Sequence, residues 1–196
     1  MVISTSMRIT GARAMSFPET IETDRLTLRP YHGQDLKDHV EILGNWDVTQ
    51  WLSTNIPFPY TQSDGEKFIT EAITQFADET SIRYAITDKE TGRHVGGIRV
   101  FSMTVETEVG YWMHPDFWGR GLGTELLVAV TGAGFGTGVI TRFIAQTAAK
   151  NASSRRILEK VGFKHHGTVP EKYTRDGHCE GCSEYYILEI KDWKDA

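Results

Sequence analysis

The stretch Glu108-Val109-Gly110-Tyr111-Trp112-Met113, followed after a Pro-containing turn by Trp118-Gly119-Arg120-Gly121-Leu122-Gly123-Thr124-Glu125, decides how this chain is read. Thr107 to Met113 has the pattern of a strand, and Leu122 to about Phe135 that of a helix. The three closely spaced glycines therefore fall in a strand-to-helix turn. Such glycines let the backbone bend sharply and present bare amides, and a helix start adds about half a positive charge. The result is an anion cradle built without side chains, of a size that suits a pyrophosphate. It is not the dinucleotide fingerprint, because the spacing is G-x-G-x-G and no acidic residue follows where a ribose partner belongs. Nor is it a P-loop, since no Gly-Lys-Ser/Thr follows.

The composition points to the same segment. Eight of the 19 glycines lie between residues 110 and 138, and residues 118–164 hold seven basic and two acidic residues. That local +5 sits within a chain of net charge −5. An acidic whole argues against a nucleic-acid backbone as direct partner, because such binding runs on clustered cations. No run approaches the ~20 apolar residues of a membrane span. With 196 residues the chain has the length of one domain. A chain of this length buries roughly 70% of its unfolded surface and needs neither metal nor disulfide for stability.

Working outward, Arg25 to Arg29 alternates as a first strand, stopped by Pro30. Asp35 to Leu43 is a short helix, and Trp46 to Tyr60 is irregular and aromatic. Ser63-Asp64-Gly65-Glu66 has the form of a capping box opening a helix that runs to about Ala77. Arg83 to Thr87 and His94 to Ser102 form a strand pair around a turn, and Gly96-Gly97 suggests a bulge or a close backbone approach. Past the glycine loop, Arg142 to Ala148 is a strand, and Ser153 to Val161 a helix ending at Gly162, where a left-handed cap is easiest. Val169 and Tyr185 to Ile190 supply the last two strands. Gly132, Gly134, Gly136 and Gly138 read as a loosened helix end and turn. The order predicts an α/β domain on a mixed, largely antiparallel sheet of about seven strands, with about four helices.

Three segments together resemble one family: Thr23-Asp24-Arg25-Leu26-Thr27-Leu28-Arg29-Pro30, the Val109–Trp112 strand with the Trp118–Gly123 loop, and Asn151 through Phe163. From about Glu19 to Trp193 the chain resembles the GNAT superfamily of acetyl-CoA-dependent N-acetyltransferases. Its branch is similar to the RimJ/RimL ribosomal-protein N-terminal acetyltransferases. The resemblance implies a sheet splayed at its centre, with the pantetheine arm of acetyl-CoA in the gap beside Trp112 and Met113. It implies that the amides of Gly119, Arg120, Gly121, Leu122, Gly123 and Thr124 hold the pyrophosphate, and that a backbone amide polarises the thioester carbonyl. Asn151 would contact the pantetheine arm or a water, and Ser154 would lie near the sulfur.

Transfer to an amine requires a neutral nucleophile, which an α-amino group (pKa near 8) reaches more readily than lysine (near 10.4). A general base helps without having to be strong. Glu108, at the head of the strand beside the cofactor, is the leading candidate, acting through water; its other reading is a solvated strand-end carboxylate. Glu171 and His166 are weaker alternatives. Many relatives place a tyrosine where this chain has Leu158, to protonate the departing thiolate, so Ser154 or water is the expected substitute. Lys150, Arg155 and Arg156 either meet coenzyme phosphates or are solvated helix charges. The aromatic stretch Trp46–Tyr60 reads as a wall of the acceptor pocket or as packing under a loop.

The acceptor is then a protein N-terminus or a small-molecule amine, and the rival from another class is an idle acyl-CoA-binding sensor. Residues 1–18 are expected to be a flexible leader, or residues preceding a start at Met15, ahead of a single domain over 19–196. Two cysteines cannot build a disulfide framework, which fits a cytoplasmic location. His178-Cys179-Glu180-Gly181-Cys182 lacks two zinc ligands unless His165-His166 supply them, so it is read as two thiols in a hairpin connection and no metal is expected. Exposed strand edges at the C-terminal hairpin leave monomer and homodimer both open.

Overall fold

A computed structural model describes residues 16–170 and 182–193. One eight-stranded sheet has the order β1-β2-β3-β4-β5-β6-β8-β7. Its strands are β1 (Ile21–Glu22), β2 (Leu26–Pro30), β3 (Ile82–Asp88), β4 (His94–Val100), β5 (Glu106–Met113), β6 (Arg142–Ala148), β7 (Lys164–Pro170) and β8 (Cys182–Glu189). The helices are α1 (Leu36–Gly44), α2 (Trp46–Thr49), α3 (Gln62–Ala77), α4 (Leu122–Gly136) and α5 (Ala152–Val161). The α/β class and the mixed sheet are as expected. Beyond about seven strands and four helices come the two-residue β1, paired to β2, and the single-turn α2 inside the aromatic stretch.

Every strand pair is antiparallel except β5 with β6. That parallel ladder holds only Glu106↔Arg142, Thr107↔Phe143 and Glu108↔Ile144. Beyond it β5 continues along β4 to Met113, and β6 along β8 to Ala148. The sheet therefore opens at its centre. Alternation assigns the two faces. Tyr84, Ile86, Ile98, Val109 and Met113 share a core with Leu122, Leu126 and Leu127 of α4 and Leu158 and Val161 of α5. Ala85 faces the other way, against Tyr31 and α3 residues Ile69 and Ala72. Phe17, assigned on sequence to the leader, is buried in the α4-side core, and the Tyr84 hydroxyl donates to the Pro18 carbonyl.

Two local readings are corrected. Helix α3 starts earlier than the Ser63 box implies: Thr61 is its N-cap, accepting from the Asp64 amide, while Asp64 accepts from the Thr61 amide at 2.8 Å. The glycines of α4 do not loosen its end. A Cβ on Gly134 would lie 2.4 Å from the Phe143 ring, and one on Gly132 would lie 2.9 Å from Trp193. These positions let α4 approach the sheet and the C-terminal segment closely. Gly138, at φ +71°, makes the turn as read. Gly96 and Gly97 combine both expectations. The ladder slips beside Gly96, where Ile86 pairs with Gly96 and Thr87 with His94, and a Cβ on Gly97 would meet the Trp112 ring at 2.4 Å.

Candidate active site

Three pieces of chain converge on the opening between β5 and β6. The first is the glycine loop. Gly119 and Gly121 take the left-handed backbone, at φ +72° and +80°, and the exposed turn delivers the chain into α4. Among the described residues, the amides of 119 to 123 have no hydrogen-bond partner, whereas those of Thr124 and Glu125 donate to the Gly121 carbonyl. The row of vacant donors thus ends one residue short of Thr124. The Leu122 side chain is buried in the core, so that residue can offer only its backbone to a ligand. Gly123 allows α5 to pack close, since a Cβ there would lie 2.8 Å from Ile157.

The loop is braced from the far edge of the sheet. The Glu125 carboxylate accepts from Thr23 Oγ1 at 2.6 Å, from the Arg25 amide at 2.9 Å and from Arg25 Nε at 2.7 Å. Arg25 Nη1 also donates to the Arg120 carbonyl at 2.8 Å. Burial alone would raise the Glu125 carboxyl, but these donors outweigh it and hold the group below its usual range. The Arg120 guanidinium lies over the Phe117 ring, 5.3 Å from its centre. Trp118 donates its indole N–H to the Met113 carbonyl at 2.8 Å, which ties the end of β5 to the loop and occupies that carbonyl.

The second piece is β5. Glu108 is its last residue paired to β6 and stands at the mouth of the opening. It is half-buried; burial and the neighbouring Arg83 charge lower the Arg99 guanidinium to about 10, and the nearby Glu108 acts against that shift. Glu108, Gly110 and Trp112 share the α1/α3 face by alternation. Trp112 packs there against Phe68 and His39, and its indole N–H has no partner among the described residues. Tyr111 and Met113 point to the α4/α5 face.

The third piece is the start of α5. Asn151 caps it, its Oδ1 accepting from the Ser154 amide at 3.1 Å. This commits the oxygen of Asn151 to the helix and leaves its Nδ2 as the atom able to reach a ligand. Ser154 Oγ stands 3.3 Å from the Tyr111 hydroxyl, joining α5 to β5 beside the opening. Leu158 is 1% exposed, so the position that bears a tyrosine in many relatives is core in this fold.

Other sequence candidates are engaged with neighbours, exposed, or outside the described residues. Arg155 donates to Tyr186 at 3.2 Å and to the Ala149 carbonyl at 3.3 Å, whereas Arg156 is exposed. His166 is exposed on the edge strand β7. Glu171 and residues 178–181 of the Cys motif lie outside the described residues. No group of metal-binding side chains occurs among the described residues, and no described helix is long and apolar enough to cross a membrane. The aromatic segment is tied to the opening through packing: Tyr60 meets His39 Nε2 at 3.2 Å, and Tyr60 clusters with Ile42, Leu43 and Trp112. In the sequence Tyr111 stands in a motif without an assigned role, and Arg25 only at the start of a strand and within a resemblance. The partners of both are distant in sequence.

With this geometry in place, comparison with known proteins identifies the class. A family model described as an acetyltransferase (GNAT) domain matches residues 25–164. The chain belongs to that family and is an N-acetyltransferase. Among curated proteins it is 25% identical to the uncharacterized N-acetyltransferase YoaA of Bacillus subtilis over 175 residues, covering 88% of this chain and 98% of that one. Among solved structures it superposes on Mycobacterium smegmatis RimJ in complex with CoA-disulfide, with a TM-score of 0.77 at 18% identity over 89% of this chain and 88% of that one. A ribosomal-protein-S5-alanine acetyltransferase from Vibrio fischeri gives a TM-score of 0.75 at 15% identity over 89% and 98% of the two chains. At such identities these structures share the fold.

Proposed function

We propose that this protein transfers the acetyl group of acetyl-CoA to a primary amine, by direct attack in a ternary complex, with a protein N-terminal α-amino group as acceptor. The reading rests chiefly on the opening of the sheet after Glu108 and Ile144, with the vacant amides of 119–123 beside it. Buried backbone groups seek partners, so two parted strand edges call for an extended, amide-bearing chain between them. Pantetheine has that character, and a pyrophosphate fits the amide row.

The two faces of β5 then divide the chemistry. The coenzyme lies toward the α4/α5 face, with Asn151 Nδ2 toward the pantetheine arm and Ser154 near the sulfur. The amine approaches from the α1/α3 face, where Glu108 accepts its proton through a water. The amine nitrogen bonds to the thioester carbon, a backbone amide of β5 stabilises the oxyanion, and the C–S bond breaks with its electron pair on sulfur. Coenzyme binding thus depends on backbone dipoles and a local basic segment, which an acidic chain tolerates.

A protein acceptor is in keeping with the name of the V. fischeri enzyme of the same fold. A small-molecule amine is the alternative within the class, and the acidity of the sequence outside residues 118–164 suits a basic acceptor of either kind. Cytoplasmic action follows if the acceptor is a nascent or ribosomal protein. Thiol release from acetyl-CoA, measured against a panel of peptides and free amines, tests the proposal. Turnover on peptides with free α-amino groups is expected. Turnover on free amines alone would overturn the acceptor, and tight coenzyme binding without turnover on any amine would favour an acyl-CoA sensor.

A further inference from the structure

We infer that Tyr111 is a positioning residue for Ser154: its phenol donates to Ser154 Oγ and so directs the one hydroxyl proton of Ser154 at the sulfur that leaves the acyl group. The inference rests on the coenzyme placement proposed above. The oxygens are 3.3 Å apart, and they come from opposite walls of the opening, Tyr111 from β5 and Ser154 from the first turn of α5.

A serine hydroxyl has one proton and two acceptor sites. Left to rotate, that proton has no preferred target. The Ser154 amide is held by Asn151 Oδ1, which fixes the backbone from which Oγ projects. Tyr111 can then fill one acceptor site of Oγ, and a phenol is the stronger donor of the two hydroxyls. Burial keeps the phenol protonated, raising it to about 12 despite the bond to Ser154, so it stays a donor throughout the pH range in which amines react. Donor chains of this kind polarise each other. The Ser154 O–H is thereby a better donor to sulfur than an isolated serine.

No proton has to change owner within the pair. When the C–S bond breaks, the electron pair stays on sulfur and the Ser154 O–H···S contact becomes charge-assisted. A thiol is acidic enough to leave as its thiolate, far more readily than an alcohol would, and it takes its proton from solvent afterwards. The arrangement explains how the site works without a tyrosine on α5. Leu158 is core in this fold, and the phenol is supplied by the strand across the opening.

The test reads the thiolate directly. Free CoA is titrated on the protein, and thiolate formation is followed by ultraviolet absorbance as pH rises. Wild-type protein should hold the bound thiol about one unit or more below its value in free CoA titrated the same way. Tyr111→Phe, which keeps the ring and its packing, should return at least half of that shift. Ser154→Ala should return all of it, and the double variant should match Ser154→Ala. In turnover, Tyr111→Phe should lower kcat about tenfold with KM for acetyl-CoA within about twofold, the split expected for an interaction made only in the transition state. An unchanged thiol pKa in Tyr111→Phe, or losses that multiply in the double variant, would overturn the inference while leaving the coenzyme site standing. Failure of the wild type to bind CoA would overturn the site reading and this inference with it.

Discussion

Arg25 and Glu125, one hundred positions apart, are joined by two guanidinium contacts of 2.7 and 2.6 Å and by a hydrogen bond of 2.9 Å from the Arg25 backbone amide to the carboxylate. The pair connects the turn before β2 to the first turn of α4, and a further bond from Arg25 reaches the carbonyl of Arg120 inside the glycine loop. A loop of glycines has little conformational preference of its own. Its shape must be imposed from outside, and Arg25 imposes it. Arg25→Ala should therefore weaken CoA binding about tenfold, equivalent to roughly 1.4 kcal/mol, with a small change in kcat. Calorimetric titration with CoA checks this, and an unchanged affinity would reduce the pair to a surface contact.

Gly119 and Gly121 test the loop from within. A Cβ on Gly119 meets nothing within 4 Å, yet its φ of +72° is one that L residues resist. Gly119→Ala should cost about 1–2 kcal/mol through the backbone alone. Part of this should appear as a drop in Tm of about 2–6 °C and part as weaker CoA binding. Thermal scans with and without CoA separate the two.

The glycines of α4 should respond in opposite directions. Gly134→Ala drives a methyl into Phe143 and should destabilise by about 1–3 kcal/mol. Gly136→Ala meets nothing within 4 Å on an exposed helix position and should stabilise by about 0.4–1 kcal/mol. Urea unfolding of the two variants decides it, and equal effects would contradict the packing described.

Acid should unfold this protein through two histidines. Burial lowers His39 to about 3 and His94 to about 4, and both are at most 3% exposed. An unfolded histidine titrates near 6.5, so the unfolded chain binds protons first as pH falls. The stabilisation is complete above pH 6.5 and is lost progressively below it, until the folded-state values are passed. Together the two sites should remove roughly 3 kcal/mol between pH 6.5 and 5. His39→Gln should shrink that slope by about half, measured by urea unfolding at the two pH values.

Glu108→Gln should lower kcat about 10²-fold or more at neutral pH while leaving CoA affinity within about twofold. The kcat of both proteins is to be followed across the pH range in which the acceptor amine loses its proton. A kcat that follows wild type across the whole profile would return Glu108 to the role of a strand-end carboxylate beside Arg99.

The sequence by itself determined the strand, glycine turn and helix of 107–135, because those are local: strand alternation, helical spacing and φ > 0 are properties of neighbouring residues. It also marked Glu108 by its place at the head of a strand, and Asn151 and Ser154 through the family resemblance of the segment that holds them. The tertiary structure decided what depends on residues meeting across the chain. Only packing distinguishes Gly134, pressed on Phe143, from Gly136, which faces open space. Only the packing of α4 and α5 on the sheet brings Arg25 to Glu125 and Tyr111 to Ser154. Pairing energies of that kind carry no period in the sequence, since the two partners are selected by their separation in space.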